Sequence, residues 1–135
     1  MHNLKRLAMT ASLLERVDEA RHHNPEMPKG FDLGRWDCGT AACAVGHAIH
    51  DLAHQIEGLQ SVPLPLELNR GRLSPFFDGK QGWPAVKAFY GLTLGEALHL
   101  FGGPFYEPSE RTDAMAVAKR IQAFVAAHDR ELVPA

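Results

Sequence analysis

Leu4, Leu7, Ala11, Leu14 and Val17 recur at steps of three and four residues, the spacing that lays one side of an α-helix on a core. Lys5, Arg6, Glu15, Arg16, Asp18 and Glu19 fall mostly off that stripe. The pattern predicts an amphipathic helix over residues 3–22, stopped at Asn24-Pro25 because the residue before a proline is biased away from the helical region. Pro25, Pro28 and Gly30 read as a connecting loop.

The same period returns further along. Thr40 reads as the N-cap of a second helix running to about Glu57, with Ala42, Val45, Ile49, Leu52 and Ile56 as its apolar stripe. A short helix follows Pro84, carrying Val86, Phe89 and Tyr90 as far as Gly91. Thr93 and Glu96 have the spacing of a capping box, which starts a helix holding Ala97, Leu98 and Phe101. The last helix is expected over residues 112–128, with Met115, Ala118, Ile121 and Val125 on one stripe. Sustained two-residue alternation, an Asn-Gly hairpin turn and internal repeats are all missing from this reading. The expectation is an all-α, compact single domain over residues 1–135, with four to five helices and one long irregular loop at about 59–82.

At 135 residues one domain is the default, and 45% hydrophobic against 22% charged residues is too apolar for disorder. The formal charge of −2 argues against a general nucleic-acid binder, which carries a basic balance or face. Lys5-Arg6 followed by Leu7 to Leu14 imitates the start of a signal peptide, but the apolar run is short, and Glu15 and Arg16 close it. No run reaches the roughly 18 apolar residues of a membrane span. Two cysteines are too few for a disulfide-built scaffold. A cytoplasmic protein with both thiols reduced is expected.

Chemistry-bearing residues concentrate between Trp36 and His50. If Thr40 caps a helix, Cys38 and Cys43 sit at its positive end, which favours thiolate. His47, His50 and His54 follow Cys43 at offsets that fall within about 40–60° of one another around a helix, nearly opposite the apolar stripe. Three readings stay open. Cys43 fills a gap in the core while the histidines are solvated; Cys38, Cys43, His47 and His50 bind zinc, although the spacing is not that of a zinc finger; or one cysteine is a nucleophilic or redox thiol. The helix start at Cys38-Gly39-Thr40 lacks the spacing of a phosphate-binding P-loop. No carboxylate pair stands at a spacing suited to acid–base catalysis, and no convincing catalytic set is visible.

The second candidate region is the 59–82 segment, where Arg70, Arg72, Phe76, Phe77 and Trp83 form a cationic and aromatic set of the kind enriched at binding hot spots. Long loops in compact domains are often functional.

Three blocks carry a resemblance: Phe31-Asp32-Leu33-Gly34-Arg35-Trp36, then Cys38-Gly39-Thr40-Ala41-Ala42-Cys43-Ala44-Val45-Gly46-His47-Ala48, then Gly91-Leu92-Thr93-Leu94-Gly95-Glu96-Ala97-Leu98-His99-Leu100-Phe101. Together the chain resembles a set of small uncharacterised bacterial and phage proteins with a Cys-Gly-Thr-x-x-Cys-x-x-Gly-His/Trp-Ala motif. The resemblance covers most of the chain except the 59–82 segment, which it marks as an insertion. It carries no activity, and its motif admits either His or Trp where His47 stands here. The sequence therefore leaves two function classes. One is a small interaction protein, phage- or mobile-element-borne, that binds another protein; the other is a thiol- or zinc-dependent protein with its site at Cys38, Cys43 and the neighbouring histidines.

Overall fold

Asn3 starts the first helix: its side-chain carbonyl accepts the Arg6 N–H at 3.1 Å, one of the amides a helix start leaves without a partner. The computed structural model describes residues 2–23, 30–31, 41–63 and 73–128. Helix α1 spans Leu4–His23 and buries the expected stripe of Leu4, Leu7, Ala11, Leu14 and Val17. Strands β1 (Gly30–Phe31) and β2 (Ala41–Ala42) make a two-residue parallel pair, followed by α2 (Ala44–Ala48) and α3 (Leu52–Ile56). Then come β3 (Gln60–Pro63), β4 (Leu73–Phe77), β5 (Lys80–Gln81), α4 (Trp83–Tyr90), α5 (Leu94–Phe101) and α6 (Ala114–Ala127). Two single-turn 3₁₀ helices join α5 to α6.

The all-α expectation is corrected by these elements. The fold is mixed α and β: strands β3, β4 and β5 form an antiparallel sheet with β4 in the middle, packed against α2 and α4. The described part of the 59–82 segment is therefore ordered sheet, not an irregular loop. Its turn is Asp78-Gly79, with φ of +53° and +74°. Positive φ at both central residues is what a tight primed hairpin turn demands, and it fixes the register at Phe77 opposite Lys80. Pro75 disguised the middle strand, since proline removes a ladder donor and is rare there; here it faces Ser61 across the β3–β4 ladder.

The expected helix over 40–57 is also corrected. Thr40 lies outside the described residues, Ala41 and Ala42 are extended, and Cys43 caps α2 by accepting the Gly46 N–H on its sulfur at 3.3 Å. The helical path breaks again after Ala48. Gln55 Nε2 donates to the Ile49 carbonyl at 2.9 Å, and Asp51 caps a new helix by accepting the His54 N–H. The restart turns the second half around: Ile49 is buried, whereas Leu52 and Ile56 are 69% and 75% exposed. Gly58 ends this stretch with a φ of +106°, and a Cβ there would lie 3.2 Å from the Phe77 ring.

The core lies between α1, α2 and helices α4 to α6. Phe89 and Tyr90 of α4 meet edge to face at 4.9 Å, and Tyr90 stacks on Phe101 of α5 at 5.1 Å. The Thr93–Glu96 capping box forms as the spacing predicts. Val117, Ala118 and Ile121 of α6 complete the core against α1. No described helix is long and apolar enough to cross a membrane.

Candidate functional site

Where α3 meets α1 and α4, four polar side chains form a chain of hydrogen bonds inside the core. Asp51 Oδ2 accepts from the Nδ1–H of His54, which turns Nε2 of that ring toward Thr10. Thr10 Oγ1 lies 2.8 Å from His54 Nε2, 2.6 Å from the Tyr90 hydroxyl and 3.1 Å from the Arg6 carbonyl. Burial pushes the Tyr90 phenol far above its ordinary value, which keeps it protonated inside the core. The Thr10 hydroxyl donates its one proton to the Arg6 carbonyl, and the same oxygen joins the Tyr90 hydroxyl to the imidazole, which links Tyr90 to Asp51. The order carboxylate–imidazole–hydroxyl is that of a hydrolytic triad. Thr10 and His54 are, however, both fully buried, so the hydroxyl has no face on which to meet a substrate. The chain of bonds fastens α3 to α1 and α4.

Arg6 makes a second tie beside it. Its guanidinium donates to the carbonyls of Phe89 at 3.0 Å and Glu57 at 3.2 Å, and to the Glu57 carboxylate at 3.3 Å. It also lies over the Phe89 and Phe77 rings at 4.5 and 5.3 Å. Hydrogen bonds from Arg6 and Lys5 hold the Glu57 carboxyl below its ordinary value.

Asp51 is the one member of the buried chain that reaches the surface, and there it lines a groove of about 380 Å³ between α1 and α3. Ala8, Met9 and Ala53 give the groove its apolar lining, with Lys5 and Arg16 also on its wall. Leu52 and Ile56 stand on α3, one helical turn apart and exposed, beside Ala53. A second groove, of about 310 Å³, runs between α1 and α6 past Gln122 and Val125. Ala8 and Ser12 line both grooves, so the outer ridge of α1 is low and small-residued between them.

The residues singled out from the sequence are dispersed. Cys43 and His47 are buried and only His50 is exposed, which corrects the expected solvent-facing Cys/His stripe; His54, its last member, is in the core. Cys43, His47 and His50 form no group of three converging metal ligands among the described residues. Cys38, Arg70 and Arg72 lie outside those residues. Phe77 and Trp83 pack against the core and Phe76 is half-buried on the sheet.

Sequence reasoning missed Thr10, Asp51, Tyr90 and the α1–α3 groove. Asp51 had a signal: an Asp three residues before His54 offers both an N-cap and a ring partner. No protein-family model, no curated protein and no solved structure matches this chain.

Proposed function

We propose that this chain is a binding module for another protein, taking an acidic amphipathic helical segment in the groove between α1 and α3. The observation that carries the reading is the exposure of Leu52 and Ile56, at 69% and 75%, on a five-residue helix anchored by a buried polar chain. Leaving a large aliphatic side chain in water forgoes roughly 1.5–3 kcal/mol of burial, which a docked partner recovers. Anchors one turn apart beside an apolar groove suit recognition of a helix.

Charge selects the partner. Lys5 and Arg16 line the groove eleven positions apart on α1, about 16 Å at 1.5 Å per residue. Lys5 is 3.4 Å from Glu57 at an exposed position, a pair worth too little to keep it from a carboxylate of a partner. Asp51, the acidic group on the groove wall, is engaged by His54. A partner helix of about three turns with acidic residues toward both ends fits. The buried sulfur of Cys43 gives the thiol-based alternative less support.

Selection of helical peptides from a random displayed library against the immobilised protein tests the reading. Enriched peptides are expected to combine apolar residues at three- and four-residue steps with Asp or Glu. Their binding is expected to vanish with Leu52→Ser combined with Ile56→Ser, and to weaken with Lys5→Glu or Arg16→Glu. Enriched peptides that bind the double variant as well as the parent protein would overturn it.

A further inference from the structure

Away from the groove, three side chains from distant parts of the chain converge. His2 precedes α1, Glu96 lies in the first turn of α5, and His128 is the C-cap of α6. His2 Nε2 and Glu96 Oε2 are 2.8 Å apart, and one ligand atom from each of the three residues lies within 4.8 Å of the others. No other such group occurs among the described residues.

We propose that His2, Glu96 and His128 bind a divalent transition-metal ion, with zinc the best-matched occupant. Two imidazoles with one carboxylate suit zinc and its first-row neighbours and disfavour magnesium and calcium, which take oxygen. A tetrahedral ion about 2.0–2.1 Å from each ligand separates neighbouring ligand atoms by roughly 3.3 Å. The His2–Glu96 contact therefore opens slightly, and the ion takes the place of the proton held between them.

Backbone groups orient Glu96 and His128, as metal ligands require. His128 Nδ1–H donates to the Phe124 carbonyl at 2.8 Å, which makes Nε2 the lone-pair nitrogen of the neutral ring. Glu96 Oε1 accepts the Thr93 N–H at 2.9 Å, which leaves Oε2 for the ion. Burial raises the Glu96 carboxyl, but the bonds from Thr93 and His2 outweigh it and hold the group below its ordinary value. The rings are held as well: His128 stacks on Phe124 at 4.0 Å, and His2 meets both edge-on, at 5.2 and 4.6 Å.

All three residues are half-buried, so a fourth position is open to water or to a donor from a partner. The ion would tie residue 2 and the end of α6 to the start of α5. The proposal stands independently of the α1–α3 groove.

Titration calorimetry of the tag-free full-length chain with zinc chloride tests it, together with Co²⁺ absorption. One equivalent is expected to bind and to raise the thermal midpoint. Glu96→Gln keeps the capping acceptor, so it folds, and it is expected to weaken zinc by more than about tenfold. His128→Gln is expected to do the same. The Co²⁺ form is expected to show visible bands without thiolate charge transfer. Unchanged zinc affinity in both variants, no stoichiometric binding, or a thiolate band assigning the metal to a cysteine would each overturn the proposal.

Discussion

Asp51 accepts both the backbone N–H and the ring Nδ1–H of His54, so one carboxylate starts α3 and turns the His54 ring into the core. Asp51→Ala removes both acceptors. The lost cap is expected to cost about 0.5–2 kcal/mol. The stranded ring N–H adds a desolvation penalty of about 1–3 kcal/mol. Asp51→Asn keeps an oxygen in place and is expected to lose less. The urea midpoint, at unchanged slope, reads the order of the two variants. Equal and negligible losses would show that the carboxylate does not hold the helix start.

The restart at Asp51 also predicts opposite behaviour at two aliphatic positions only three residues apart. Ile49→Ala is expected to cost about 2–5 kcal/mol, because the side chain is buried and the site cannot fully collapse. Leu52→Ala is expected to stay within roughly 0.5 kcal/mol of the parent, as surface substitutions do. A continuous helix through this stretch, with Leu52 inside, would give comparable losses at both. Thermal or chemical unfolding of the two variants decides between them.

These two positions also show why the sequence was legible in one place and misleading in another. The α1 stripe runs over a long uninterrupted helix, and the buried residues are those its spacing selects. The run from Ala42 to Ile56 has the same spacing, yet its period continues unchanged across a break made by hydrogen bonds of Asp51 and Gln55. Periodicity does not register such a break. The sheet had a local signal in Asp78-Gly79 between Phe77 and Lys80, but Pro63 and Pro75 gave the segment the composition of a loop. His2 and Glu96 are 94 positions apart, and the packing of α5 against α6 that unites them with His128 is not written in any local spacing.

Gly79 isolates the cost of the hairpin turn. Its φ is +74°, and an added Cβ would meet nothing within 4 Å, so Gly79→Ala has no steric penalty beyond the backbone itself. The left-handed region costs a non-glycine residue roughly 1–2 kcal/mol. A loss of that size is expected in equilibrium unfolding, with far-ultraviolet circular dichroism unchanged. No loss would mean that the turn relaxes to another type without disturbing the Phe77–Lys80 register.

Two buried hydroxyls are expected to respond differently to removal. Thr10→Val keeps the shape but takes a hydrogen-bond partner from both His54 Nε2 and the Tyr90 hydroxyl, inside the core. Leaving such groups unpaired costs about 1–3 kcal/mol each. Tyr90→Phe leaves Thr10 still bonded to His54 and is expected to cost only about 0.5–1.5 kcal/mol. Because the two residues share one bond, their double variant is expected to cost less than the sum. Ser74 presents the contrary case. Its Oγ is buried on β4 without a hydrogen-bond partner among the described residues, so the native state already bears its desolvation. Ser74→Ala removes the hydroxyl together with that cost and leaves no other group stranded. Unfolding midpoints are therefore expected to fall for Thr10→Val and to hold or rise for Ser74→Ala. A loss at Ser74 comparable to that at Thr10 would mean that its hydroxyl is paired, and the difference between the two sites would disappear.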